Sequence, residues 1–473
     1  MMTISRLMLP LIVLLAACQS AYDQGLAAAD QIVADIGVEP ASGVSRPAAD
    51  VPMSVSFQNS AFRQTIRDAV LSFPSLSGQQ AGIQSAVAQM DAVVGNLRPQ
   101  LISELDAGQT LVGGDDEAVA GVSLTARQLV FDGATTKRQI AQARINQLRQ
   151  SFALDGLLSS LSQQMVLAWL NLWQQTQLER LAKEDVSAHQ EFLDRTQARA
   201  SGGVVAPSDV LPARSRLADA NVRLARTQAA VGQAMANFTA LIGPAPVTIA
   251  FPPTLPHLSA DAARKKVPQS SQLTMVRLQL SRAISQRDVV VSQRYPEVFV
   301  DLTGSRDGIL GGGPDHDVSI GFSVEHDFST GGQQSARERE AQSGISSARA
   351  VVEEAELQLG QSLETALANR EAARVEVDAS ATAARSNREN LDVVREQFAI
   401  GRRSIVEILD AQRDLSQALS NEVTARARQV EIELEILTLT GDLAPVFGID
   451  YDPYSAVLNG NDLTVGPPLS IDQ

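Results

Sequence analysis

One reactive group, the thiol of Cys18, has neighbours that specify a reaction. It follows Leu15-Ala16-Ala17, and the stretch Leu7 to Ala17 is apolar behind one basic residue, Arg6. That stretch is too short to span a bilayer, which needs about 20 apolar residues. It has the layout of a secretory signal peptide, expected over residues 1–17. Leu-Ala-Ala-Cys looks like a lipobox, in which the thiol takes a diacylglycerol and the small residues admit the peptidase that cuts before it. Cys18 is the only cysteine, so no disulfide can form within the chain. A plain signal peptide with an incidental cysteine is the alternative; the place of the sole cysteine favours lipidation. Gln19 follows instead of an Asp that would retain a lipoprotein at the inner membrane, so sorting to the outer membrane is expected.

No other group of side chains assembles a reaction. The histidines are His189, His257, His316 and His326, and no two have metal-ligand spacing. His316 stands with Asp307, Asp315 and Asp317 near one loop, where an ordinary polar loop outweighs weak divalent-cation binding. There is no phosphate-cradling Gly-x-x-x-x-Gly-Lys motif and no nucleophile set beside a base. The sequence therefore predicts no enzyme, no metal and no cofactor. Its net charge is -15 and its basic residues, mostly arginine, form no cluster, which excludes a nucleic-acid surface.

The scaffold is read from composition and repetition. Aromatic residues are only 4% of 473, and Ala, Gln, Glu, Arg and Leu dominate, which points to long helices. Beyond the signal peptide no segment reaches transmembrane-helix length, so any crossing of a membrane must use a closed β-barrel. An internal repeat is present. Leu193-Asp194 matches Leu391-Asp392, Gly203 matches Gly401, and Leu211, Ala213 and Leu217 match Leu409, Ala411 and Leu415. Gly133 with Gly331 and Gly243 with Gly441 keep the same spacing of 198 residues, whereas Pro99 and Pro296 lie 197 apart. A register held this long implies a duplicated unit.

Each unit has the same order. A moderate helix, Gly78–Leu97 or Gln269–Gln293, is stopped by proline. Two alternating segments follow: Gln100–Leu111 with Gly121–Phe131, and Val298–Arg306 with Asp317–Phe328. Val318, Ile320, Phe322 and Val324 alternate with Ser319, Gly321, Ser323 and Glu325, giving a strand with one apolar and one wet face. Four such strands cannot close a membrane barrel, since the smallest use about 8, so the barrel must be shared between chains. A long helix then runs over Ala134–Ala200 or Gly332–Ile400, about 100 Å at 1.5 Å per residue. Ile345, Ala348, Val352, Ala355, Leu359 and Ala366 mark a coiled-coil seam. The chain reverses at Gly202-Gly203 and at Gly401, and returns as Ser208–Ile242 and Ser404–Thr440. Trp169 and Trp173, four apart on a long helix, are read as packing residues. The organisation is thus a lipidated, extended tether (18–52), a first repeat (53–243), a Pro-rich linker (244–267), a second repeat (268–441) and a tail (442–473).

The second turn carries a family resemblance. Phe398-Ala399-Ile400-Gly401-Arg402-Arg403-Ser404-Ile405-Val406-Glu407-Ile408-Leu409-Asp410-Ala411-Gln412-Arg413 resembles the tip of the TolC-type outer-membrane efflux and secretion channels. The first tip, Gly203 to Leu211, keeps the Gly, the Asp and the Leu but departs at Pro212. The resemblance implies a mainly α fold with a small β part: a trimeric helical barrel, a shared twelve-stranded β-barrel in the outer membrane, and a belt from the linker and tail. It implies a homotrimer held in outer-membrane lipid, with a periplasmic adaptor and an inner-membrane ABC or proton-driven pump as partners. It places the gate at the tip, with Glu407 and Asp410 ringing the constriction and Arg403 tied to Ser208 and Asp209. Its Gly-Arg-Arg-Ser tip, and Asp442-Leu443-Ala444 in place of a Gly-Gly-Gly-Trp-like ending, resemble the type I secretion branch. The lipobox is more usual in the drug- or metal-efflux branch, and a non-conducting trimeric stalk is the reading from another class.

Overall fold

The computed structural model describes residues 5–35, 51–110, 117–203, 206–307 and 315–453. The chain forms α1 (Ser5–Asp35), α2 (Val55–Gln58), α3 (Ala61–Leu71) and α4 (Pro74–Gly95), then strands β1 (Gln100–Thr110) and β2 (Glu117–Phe131). Helices α5 (Thr135–Ser201), α6 (Val210–Leu241), α7 (Ala260–Lys266) and α8 (Ser271–Ser292) follow. Strands β3 (Glu297–Asp307) and β4 (Asp315–Glu325) lead to α9 (Gln333–Ala399), α10 (Ile405–Thr440) and α11 (Leu443–Val446).

The duplication is visible in element lengths. Helices α5 and α9 both have 67 residues, and α4 and α8 both have 22. The spacing is 197 at both ends of α4 and α8 and 198 at both ends of α5 and α9. The extra residue of the second copy therefore lies between its proline and its Gly331, within the hairpin. In α9 the buried residues Ile345, Val352, Leu359, Ala366 and Ala373 recur every seven positions, the seam of a coiled coil packed on α10 and α8. No helix among the described residues is long and apolar enough to cross a membrane.

The four strands form one antiparallel sheet in the order β1-β2-β3-β4, so the two hairpins join through β2 and β3. Each hairpin enters its long helix through two consecutive left-handed residues, Gly133-Ala134 in one copy and Gly331-Gly332 in the other. At Gly133 a side chain is excluded, because a Cβ would lie 2.3 Å from that of Tyr295.

The main core lies around the middle of α5. Trp169 stands edge-on to Phe62, Trp173 edge-on to Phe251, and the Trp169 indole N–H donates to the Ala250 carbonyl at 3.0 Å. Both tryptophans are packing residues that fasten the linker (Ile249, Phe251, Leu255) and the segment around Phe447 onto the bundle. Here α2, α3 and α11, too short for a periodicity to show, add Phe57, Phe62, Ile66 and Val446 to the same core.

One expectation is corrected. Residues 19–35 do not form the extended tether that their composition suggests but continue α1, which docks on α5 and α8. Ala29 and Val33 are buried against Ile145, Leu148, Phe152 and Leu278. Gly25 lies so close to Ile140 that a Cβ would come within 2.9 Å of it. An Ala- and Gly-rich helix buries by close backbone approach instead of a broad apolar stripe, so its sequence carries no amphipathic signature.

Candidate functional site

Two parts of the molecule concentrate functional chemistry: the faces of the sheet and the turns where the long helices reverse. The sheet separates its side chains by parity. Leu101, Leu105, Val122, Leu124, Leu302, Val318, Ile320, Phe322 and Val324 share one face and are all exposed. Three-quarters exposure of Val318, Ile320 and Phe322 is a large apolar surface for a protein in water. The opposite face is polar. Arg127 Nε donates to Asp301 at 2.8 Å, Ser323 donates to the same carboxylate at 2.7 Å, and Thr125 pairs with Thr303 at 3.0 Å. Glu104, Asp106, Glu297, Asp317 and Glu325 join them there, so acids outnumber Arg127 on that face. Within one chain β1 and β4 are each paired on one side only.

At the second tip, α9 ends in a Schellman motif. Gly401 takes φ 75°, its N–H donates to Phe398 O at 3.1 Å, and Arg402 N–H donates to Gln397 O at 2.8 Å. Helix α10 then starts with a full capping box. The Ser404 hydroxyl accepts from Glu407 N–H at 3.3 Å, and the Glu407 carboxylate accepts from Ser404 N–H at 2.8 Å. Glu407 also pairs with Arg403. The Ser404 N–H and hydroxyl and the Arg403 guanidinium together hold the Glu407 carboxyl down at about 2.

The first tip is plainer. Gly203 supplies the left-handed turn at φ 71°, while Gly202 caps α5 at φ -79°. The chain enters α6 through a single 3-10 turn, Pro207–Asp209, with Ala206 at the cap making no side-chain bond. Pro212 falls at the start of α6 without interrupting it, because the first helical N–H groups have no intrahelical acceptor.

Arg403, expected to tie to Ser208 and Asp209, holds Gln397 at 2.8 Å and Glu407, both on its own hairpin. Glu407 lies one helical turn along, so the pair forms locally without bringing two elements together. Ser208 is exposed, and the side chain of Asp209 lies outside the described residues. The link from α10 to the first tip runs through Asp410, 3.5 Å from Arg216 of α6 and 3.4 Å from Arg413. A second link, invisible as a sequence motif, is Arg199, which donates to the Phe398 carbonyl at 3.1 Å and lies over its ring. Arg395 stacks on Phe192 in the same way. Beneath these contacts Leu193, Ala213, Leu391, Ile408 and Leu409 form the tip's own core.

Cys18 falls within α1, and its side chain, like those of Asp307, Asp315 and His316, lies outside the described residues. Among the described residues no group of His, Cys, Asp and Glu is placed to hold a metal ion.

The family model for outer membrane efflux proteins matches residues 65–244 and 266–442, one stretch for each repeat. The chain belongs to the outer membrane efflux protein family. It is similar to the outer membrane efflux protein BepC of Brucella suis, 23% identical over 312 residues; the match covers 62% of this chain and 65% of that protein, just under two thirds of its length. It shares its fold with VceC of Vibrio cholerae, at a TM-score of 0.72 and 15% identity, covering 81% of this chain and 97% of VceC. The Campylobacter jejuni outer membrane channel CmeC superposes with a TM-score of 0.73 at 12% identity, covering 85% and 89% of the two chains. As a member of that family the chain is an outer-membrane efflux protein and not an enzyme. Family membership also explains the sheet: its apolar face is the kind of surface that lipid covers.

Proposed function

We propose that three copies of this chain close into one continuous duct, and that the duct is the outer-membrane exit of a tripartite exporter. One observation carries the reading: a four-stranded sheet, apolar on one face and acidic on the other, with two open edges, stands on helices 67 residues long. Open edges in lipid would leave backbone groups unpaired, so β4 of one copy joining β1 of the next removes a large cost. The helices lie side by side in the order α6, α5, α10, α9. The outer two, α6 and α9, expose Leu211, Val222, Leu357 and Val375 to a neighbouring copy. Closure turns the acidic sheet face inward and makes a water-filled, cation-favouring lumen.

In this assembly the tips form the gate, with Glu407 and Asp410 ringing it and Arg403, Ser208 and Asp209 as the polar groups around them. Opening requires the Arg216–Asp410 and Arg199–Phe398 contacts between the two helical hairpins to part. A periplasmic adaptor and an inner-membrane pump supply that work. Lipid on Cys18 anchors each copy beside the barrel.

The cargo we assign is an exported protein, a type I secretion reading supported by the Gly-Arg-Arg-Ser tip. Efflux of small molecules or metals is the second reading, favoured by the lipobox and by the efflux name of the Brucella relative. Single-channel recording of the purified trimer tests the duct: cation-selective steps are expected, and absence of conductance even in Arg403→Ala overturns it. Deletion followed by a secretome comparison and a drug-susceptibility panel decides the cargo. Loss of one large secreted protein with unchanged susceptibility supports secretion; the reverse supports efflux. Radiolabelled palmitate on wild type but not on Cys18→Ser tests the anchor.

A further inference from the structure

A charged group is buried in the helical bundle well away from the tip turns. Asp185 of α5 is 2% exposed and serves both neighbouring hairpins at once. Its Oδ2 accepts from Arg223 Nη2 of α6 at 2.7 Å, and its Oδ1 accepts from Gln412 Nε2 of α10 at 3.3 Å. Gln412 in turn accepts from Arg395 of α9 at 3.3 Å. One carboxylate thus fastens four helices, about 25 Å along α5 from its turn. Removing one partner of such a buried group is costly, because the other is left unsatisfied.

His189 lies one turn further along α5, 1% exposed, with its Nε2 3.6 Å from Asp185 Oδ1 and its ring edge-on to Phe192. Its Nδ1 is buried and has no hydrogen-bond partner. A neutral ring can leave that nitrogen as a bare acceptor at modest cost. A protonated ring carries a second N–H there, with no acceptor in reach.

We propose that His189 is a proton-operated release for the lower bundle: proton uptake at acid pH loosens the Asp185 node that holds α5 to α6 and α10. The groups facing His189 are Asp185 on its own helix and Arg223, Arg216 and Asp219 from α6, while α10 contributes the neutral Gln412 and α9 the Arg395 that stacks on Phe192. Charge around the ring is thus two carboxylates against two nearby guanidiniums, and Asp185 already uses both oxygens. Burial lowers the affinity of His189 for a proton, Asp185 opposes this, and Arg223 and Arg216 reinforce it. The sign follows. The packed bundle binds fewer protons than a loosened one below a pH of about 6.5, so packing is favoured above that value and weakened as pH falls from it toward the lowered pKa. Each unit of lowering is worth a tenfold change in the packed-to-loosened ratio.

The proposal rests on the helices forming a gated bundle, and its readout is kept separate from conductance. Hydrogen exchange of the full-length trimer, corrected for intrinsic rates, is followed in peptides covering 181–199 and 405–419 at pH 7.5 and 5.5. Wild type is expected to exchange several-fold faster at pH 5.5 in both segments, while His189→Gln and the better-packed His189→Phe show no such change. A wild type without acceleration, or a variant that accelerates equally, overturns the proposal. Single-channel recording at both pH values runs alongside. A trimer that never conducts counts against the duct, while the exchange data still decide the role of His189.

Discussion

Gly203 and Gly401 stand 198 residues apart and both take a left-handed φ, yet the helices that leave them begin differently. Where the second tip has Ser404 as a hydrogen-bonded cap, the first has Ala206; where the second has Glu407, the first has Asp209; where it has Asp410, the first has Pro212. On the preceding helix, Phe398 faces a counterpart of one methyl group, Ala200. The turn is kept because only a residue tolerant of positive φ closes it. The cap, the aromatic plug and the acid across to Arg216 belong to one copy alone. Duplication supplied two equivalent hairpins, and later divergence put the local stability and the charge on the second.

Removal of the plug is expected to break this asymmetry most strongly. Phe398 is 8% exposed, packs in the tip core and carries Arg199 on its ring. Phe398→Ala should cost about 3–4 kcal/mol, whereas Ala200→Gly in the equivalent position should cost about 1 kcal/mol. Hydrogen exchange over residues 391–415 and over 193–217 measures the two losses. Equal losses would show that the tips are energetically alike despite their sequences.

The junctions beneath the sheet give the next comparison. Gly133→Ala must place a methyl group against Tyr295, while Gly331→Ala meets nothing within 4 Å and bears only the left-handed backbone. The first should lose about 2–3 kcal/mol through overpacking and the second about 1 kcal/mol. Trimer melting in detergent distinguishes them, and a reversed order would contradict the packing of Tyr295.

What the sequence showed and what it hid divides along the same line. Helices, strands and turns were legible because their signals are local: proline before each hairpin, parity along Val318–Val324, glycine at each reversal, a seven-residue repeat in α9. Contacts between elements were not. The guanidinium of Arg403 holds Glu407 four positions on, a partner that needs no tertiary structure, whereas Asp410 reaches Arg216 on the other hairpin with no local signal to announce it. Asp185 and His189 look in sequence like an ordinary i, i+4 pair on a solvated face. Only the packing of α6 and α10 over them makes them a buried node. The helical course of residues 19–35 was hidden for a related reason, since small residues advertise close packing far less than large ones advertise burial.

The caps offer a smaller and pH-dependent contrast. Ser404→Ala removes a hydrogen-bonded N-cap and should cost about 1 kcal/mol, while Ala206→Ser should recover no more than that at the other tip. The Glu407 carboxyl, held at about 2 against an ordinary 4.5, contributes only while ionised. Its support for the start of α10 is therefore complete above pH 4.5 and fades as pH falls toward 2. Exchange of residues 404–412, corrected for intrinsic rates, should quicken in wild type as pH falls across that window, and in Glu407→Gln it should be fast and flat. Because His189 acts nearer 6.5, the two titrations separate on the pH axis.

The smallest expected effect is the most specific to the duplication. Ala134 takes φ 67°, where its counterpart in the second copy is Gly332 at φ 86°. A left-handed alanine costs about 1–2 kcal/mol relative to its preferred conformations, and glycine avoids that cost. Glycine also makes the unfolded chain freer, which returns about 0.4–1 kcal/mol of the gain. Ala134→Gly should therefore stabilise the first copy by less than about 1 kcal/mol, and Gly332→Ala should destabilise the second by a similar amount. Melting temperatures of the two single variants should move in opposite directions, and the double variant should return close to wild type if their effects add, a Cβ at Gly332 meeting nothing within 4 Å. A stabilising Gly332→Ala would mean that the second junction does not need its left-handed residue. The equivalence of the two hairpin-to-helix joints would then hold in sequence alone.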